Sequence, residues 1–139
     1  MNQREEWNRQ VVEEFRGNGG VVGGDFAGVP LLLLHHVGAR SGTARVSPVA
    51  YRSDGERWVI FASNGGRPTH PGWFHNLEAH PAATIEVGTD TVAVVARVAA
   101  GDEHDRLWSL QKKEVAGFAD YETNAQGRTI PVVVLEPVG

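Results

Sequence analysis

LLLLHHV-GARSGTAR-VSPVAYR-SDGE-RWVIFA, residues 31–62, alternates strand-like runs with turn chemistry. Leu31 to Val37, Val46 to Arg52 and Arg57 to Ala62 are rich in β-branched, aromatic and leucine residues, the composition that fits a pleated, partly buried surface. Ser53, Asp54, Gly55 and Glu56 between the last two runs are the residues of a tight hairpin turn. Neighbouring runs joined this closely pair antiparallel, because a parallel pair needs a crossover of a dozen or more residues.

Working outward, Ala83 to Val87 and Thr91 to Ala99 form a second hairpin around Gly88, with clear alternation in Thr84, Ile85, Glu86 and Val87. Ile130 to Leu135 is continuously apolar, with Pro131 near its start where a strand best tolerates proline, and is expected to be a buried final strand. Three helices complete the pattern. From Arg4 to Arg16 the residues Trp7, Val11 and Phe15 recur at intervals of four beside Val12, so residues 1–17 are expected to form an amphipathic helix closed by Gly17. Thr69 or His70 is expected to cap a short helix beginning at Pro71, with Trp73 and Leu77 on its inner face and Pro81 as its stop. Asp102 is expected to start a third, carrying Leu107, Trp108 and Val115. Six strands and three helices without βαβ alternation predict a mainly β, α+β chain: a small antiparallel barrel with flanking helices, forming one domain over residues 1–139.

Composition removes several function classes. The chain has no cysteine, which excludes disulfides, iron–sulfur clusters, thiolate zinc sites and cysteine nucleophiles. Thirteen basic against 17 acidic residues give a net charge of -4, and the basic residues are scattered, so no broad nucleic-acid face is expected. The longest strongly apolar run, Val29 to Leu34, falls far short of the roughly 20 residues that span a bilayer. The first ten residues are polar and lack a secretory h-region, so a cytoplasmic location is the default expectation. The first helix mixes Glu5, Glu6, Glu13 and Glu14 with Arg4 and Arg9 on its polar face, a poor match to an anionic bilayer that leaves peripheral contact open.

Two loops stand out as candidate ligand sites. Gly38 to Arg45 carries two arginines and no acid: its glycines expose N–H groups, Ser41 and Thr43 add hydroxyls, and Arg40 and Arg45 offer bidentate forks suited to phosphate. A solvated basic turn would read the same way. Ser63-Asn64-Gly65-Gly66-Arg67 follows a strand end, and paired glycines let a planar ligand approach the main chain closely. There is no G-x-G-x-x-G or P-loop pattern among the glycines of residues 18–28 and no G-x-S-x-G elbow. No metal site is expected: His70, His75 and His80 are five apart, so successive rings on a helix diverge by roughly 140°, and the adjacent His35 and His36 face opposite sides of a strand.

Taken in order, these segments resemble the deazaflavin (F420)-dependent nitroreductase family. The matching pieces are Asn18-Gly19-Gly20 with Val22-Gly23-Gly24, Pro30 to Leu34 entering Gly38-Ala39-Arg40-Ser41-Gly42, then Arg45 and Pro48, Ala62 to Gly66, His70-Pro71-Gly72-Trp73-Phe74-His75-Asn76-Leu77, and Thr129 to Val133. The resemblance implies a split β-barrel of the FMN-binding-like superfamily with coenzyme F420 in a groove at the barrel. It implies that Arg40, Ser41, Gly42 and Arg45 meet the phosphate region, that Pro48, Val49 and Ala50 line the deazaflavin, and that Ser63, Asn64, Gly65 and Gly66 with Trp73, Asn76 and Leu77 complete the site. Ala39 stands where some family loops carry a second basic residue. In the region where relatives place pocket tyrosines this chain has Val115, Phe118 and Tyr121, of which only Tyr121 keeps a hydroxyl.

The implied reaction is hydride transfer from reduced F420 to an electron-poor small molecule such as a quinone, enone or nitro compound, with Tyr121 or Ser63 orienting the acceptor or relaying a proton. An FMN-dependent oxidoreductase on the same fold and a non-catalytic F420 carrier are the alternatives. Monomer and homodimer are both compatible with the pattern.

Overall fold

The computed structural model describes residues 3–23, 30–63, 69–115, 118, 120 and 129–138. In chain order the elements are α1 (Gln3–Gly17), β1 (Leu31–Val37), β2 (Ala44–Asp54), β3 (Arg57–Phe61), α2 (Gly72–Ala79), β4 (Ala82–Val87), β5 (Asp90–Val98), α3 (Gly101–Glu114) and β6 (Val132–Pro137). The six strands close into an antiparallel barrel in the order β1-β2-β3-β6-β5-β4. The strand and helix tally expected from the sequence is met among the described residues. β6 joins between β3 and β5, which leaves no strand edge open.

Side-chain alternation sorts the core into an inside and an outside. Leu32, Leu34, Val49, Ile60, Ile85 and Leu135 point into the barrel. The other faces of the strands are covered by helices. Val11 and Phe15 of α1 pack on Leu31 and Leu33 of β1, while Leu107 and Trp108 of α3 pack on Val59, Val132 and Val134 of β3 and β6. Residues 132–135 are therefore apolar without alternation because both of their faces are buried, one by the barrel and one by α3. Phe61, Trp108 and Phe118 form a mutually packed aromatic trio, with ring centroids 5.7–6.0 Å apart.

Several expectations need correction. Trp7 remains 42% exposed, and the buried residues of the α1 stripe are Val11 and Phe15. β2 begins at Ala44 and runs to Asp54, so Arg45 belongs to a strand, where its main chain lies opposite His36. Pro71 is the N-cap of α2 rather than its first residue, and no side chain caps that end; the Pro71 carbonyl accepts from the Phe74 N–H at 3.0 Å. The buried residues of α2 are Phe74 and Leu77, with Trp73 only partly covered at its side. Val115 is the C-cap of α3, just past the helix. The β2–β3 turn does fall at Gly55, where φ is 64°. The turn after α1 rests on the β4–β5 hairpin so closely that a Cβ on Gly20 would lie 2.7 Å from the Gly88 main chain.

Candidate functional site

The antiparallel topology brings the conspicuous loops together. The C-terminal ends of β1, β3 and β5 and the N-terminal ends of β2, β4 and β6 all lie at one end of the barrel. The loop 38–43, Ser63, α2 and Ile130 with Pro131 therefore share that end. Hairpin turns 55–56 and 88–89 close the other.

Loop 38–43 is held in a fixed shape by its own main chain. The Gly38 N–H donates to the Thr43 carbonyl at 2.9 Å, and the Gly42 N–H donates to the Gly38 carbonyl at 3.0 Å. The Thr43 N–H donates to Ser41 Oγ at 3.2 Å. Gly42 sits at φ 69°, where a side chain would be strained, and a Cβ on Gly38 would lie 2.4 Å from Ser41 Oγ and displace it. After these bonds the N–H groups of Arg40 and Ser41 have no acceptor among the described residues.

Charge follows the same pattern. Arg9, Arg16, Arg52, Arg57, Arg97 and Arg106 each meet a carboxylate. Arg40 and Arg45, both exposed, meet none among the described residues. Two N–H groups and two cations in one short segment, all without a partner among the described residues, make a donor set that fits an anionic group such as a phosphate. The described residues contain no group of His, Asp and Glu placed to hold a metal ion.

Beneath the loop lies a polar chain inside the barrel end. The Ala39 N–H donates to Asn76 Oδ1, Asn76 Nδ2 donates to His36 Nδ1, and His36 Nε2 pairs with Ser47 Oγ, each at 2.9 Å. His36 is 6% exposed, and burial lowers its pKa to about 4, with nearby Arg45 and His35 acting in the same direction. The ring is neutral at physiological pH. His35, on the opposite face of β1, instead contacts Glu86 at 2.6 Å, which Arg16 of α1 also grips. Arg16 and then His35 hold the Glu86 carboxyl below its ordinary range.

The remaining expected site residues fall in different settings. Alternation on β2 sends Val49 into the barrel and leaves Pro48 and Ala50 on the outer face, where Ala50 lies in the seam between the clusters under α1 and α3. Leu77 packs into the barrel core and Trp73 is partly exposed beside it. Both polar atoms of the Asn76 amide are engaged by the scaffold. Ser63 is 8% exposed at the end of β3. Asn64, Gly65, Gly66 and Tyr121 lie outside the described residues. A pocket of about 270 Å³ is lined by Phe74 and Leu77 of α2 with Pro81, Ala96, Arg97 and Val98. It contains neither loop arginine.

Sequence reading missed His36 and Ser47. The signal was available in part: His36 shares strand parity with Leu32 and Leu34, which puts it on the inward face at a strand end.

The family model described as F420H(2)-dependent quinone reductase matches residues 7–137. An F420H(2)-dependent quinone reductase of Mycobacterium tuberculosis (strain H37Rv) is 38% identical over 125 residues, covering 87% of this chain and 83% of that protein. A solved structure described as an F420-H2 dependent reductase has a TM-score of 0.70 at 31% identity, covering 77% of this chain and 94% of the other. Another, described as a domain-swapped dimer, has a TM-score of 0.71 at 30% identity and covers 96% of this chain and all of its own.

Proposed function

Because the chain belongs to the F420H(2)-dependent quinone reductase family, we propose that it passes electrons from reduced F420 to quinones and holds the cofactor's phosphate on loop 38–43. F420 is the cofactor, which sets the FMN alternative aside, and the protein is an F420H2-dependent reductase rather than a carrier. The observation behind the phosphate assignment is the pair Arg40 and Arg45, which meets no carboxylate among the described residues, in the same segment as the Arg40 and Ser41 N–H groups, which find no acceptor among them.

Bound in its reduced form, F420 supplies a hydride equivalent, and one proton completes the reduction of a quinone to a quinol. The protein's part is binding, orientation and exclusion of water. Arg40, Ser41, Gly42 and Arg45 hold the anionic part of the cofactor. Pro48, Val49 and Ala50 of β2, Ser63 to Gly66, and Trp73, Asn76 and Leu77 of α2 frame the rest. Ser63 and Tyr121 are the hydroxyls assigned to orient the acceptor or relay the proton. For assembly, a dimer is favoured by the relative described as one. No helix among the described residues is long and apolar enough to cross a membrane.

The test is anaerobic mixing of the protein and F420H2 with a quinone, following the return of oxidised F420 by absorbance. Oxidation faster than in the protein-free mixture supports the proposal; equal rates across short- and long-chain quinones overturn it.

A further inference from the structure

We infer that His36 is a positioning residue for cofactor binding: through Asn76 it fixes the main chain of loop 38–43 on which the phosphate is held. The inference rests on the phosphate assignment made above.

Hydrogen-bond polarity fixes the state of each group in the chain. A main-chain N–H can only donate, so the Asn76 atom 2.9 Å from the Ala39 nitrogen must be the carbonyl oxygen. That leaves the Asn76 NH2 toward His36 Nδ1 at 2.9 Å, and Nδ1 must therefore present its lone pair. The ring proton then resides on Nε2 and is donated to Ser47 Oγ, also 2.9 Å away. One main-chain N–H thus dictates the Asn76 rotamer, the imidazole tautomer and the direction of every bond in the chain.

The arrangement has no alternative polarity. A protonated ring would turn a donor toward the Asn76 NH2, and rotating the amide to relieve that would turn the same NH2 toward the Ala39 N–H. The neutral ring is enforced by the surroundings already described, with Arg45 opposite it on β2 and His35 beside it on β1. The next two N–H groups after Ala39 are those of Arg40 and Ser41, the unused donors of the loop. Fixing the Ala39 N–H on α2 therefore sets the direction in which they point. His36 is buried in the barrel end, so its influence on the cofactor must run through Asn76 and Ala39.

The test compares two ligands and three variants. Dissociation constants for F420 and for its deazaflavin–ribityl core, which lacks the phosphate, would be measured by fluorescence alongside KM for F420H2 and kcat with a quinone. The wild type should bind F420 more tightly than the core. His36→Phe, which removes the acceptor, should weaken F420 binding and raise KM by on the order of tenfold, the effect of one lost buried hydrogen bond. Affinity for the core and kcat at saturating cofactor should stay within about twofold on the same basis. His36→Asn should restore most of the loss, because its amide oxygen can occupy the place of Nδ1. Should His36→Phe fail to fold, Ser47→Ala gives the same comparison at roughly threefold amplitude. Unchanged F420 affinity, equal weakening for F420 and core, or no rescue by His36→Asn would overturn the inference. Equal binding of F420 and core by the wild type would instead remove the phosphate assignment itself, and the inference with it.

Discussion

Arg57, Arg97 and Arg106 lie in a web with Asp54, Glu103 and Glu136 that ties β2, β3, β5 and β6 to α3, whereas Arg40 and Arg45 at the loop end of the barrel meet no carboxylate among the described residues. In the web, hydrogen bonding from Arg106 and then Arg57 holds the Asp54 carboxyl below its ordinary range, and Arg97 does the same for Glu103. In a chain with 17 acidic and 13 basic residues, carboxylates are in excess. A pair of exposed arginines that meets none of the described carboxylates is charge suited to an anionic ligand. The difference separates arginines that brace the fold from arginines that bind.

The largest way to break this comparison is charge reversal at the loop. Each charge-assisted contact is worth about 1.5–3 kcal/mol, so Arg40→Glu should weaken F420 binding by more than Arg40→Ala, and by at least tenfold in a fluorescence titration. Arg97→Glu, made in the web, should leave F420 affinity unaltered.

Acid unfolding separates the two regions by pH. An unfolded His36 takes up a proton near 6.5, whereas the folded ring resists until about 4. Stability is thus fully present above pH 6.5 and declines as pH falls through that window, by about 3 kcal/mol in all at about 1.4 kcal/mol per unit. His36→Asn should flatten the slope of urea-derived stability between pH 6.5 and 4. The carboxylates of the web, with lowered pKa values, begin to lose their contribution only near the acid end of that range, as pH falls through the ordinary values of 4.5 for Glu103 and 3.8 for Asp54, and the loss continues below it.

Ionic strength gives a smaller contrast. F420 affinity should fall several-fold between about 0.02 and 0.5 M salt if exposed arginines supply the binding, with little change in melting temperature. Smallest of all, Arg97→Ala should cost less than about 1 kcal/mol of stability, because the pair is exposed and screened by solvent.

The barrel was legible because its pattern is local. Leu31 to Val37 and Gly55 announce a strand and a turn without reference to anything distant. The edges of elements were less so: Ala44 and Arg45 look like the end of a polar loop, and only pairing with Val37 and His36 makes them strand. Trp7 fits the helical stripe of α1, yet it stays 42% exposed, because burial depends on where the helix meets β1 and not on the stripe alone. The arginine loop could be found from its composition, but not that the described carboxylates all lie away from it, which depends on where each one folds. His36 was the hardest to read, since its role comes from Asn76, 40 residues away on α2.

The most direct measurement is a paired set of titrations on Arg40→Ala/Arg45→Ala and Arg57→Ala/Arg97→Ala, each read for F420 affinity and for melting temperature. The account predicts that the loop pair loses roughly a hundredfold or more in affinity with an unchanged melting temperature, while the web pair melts earlier and binds F420 normally. Normal F420 affinity in the loop pair would contradict it.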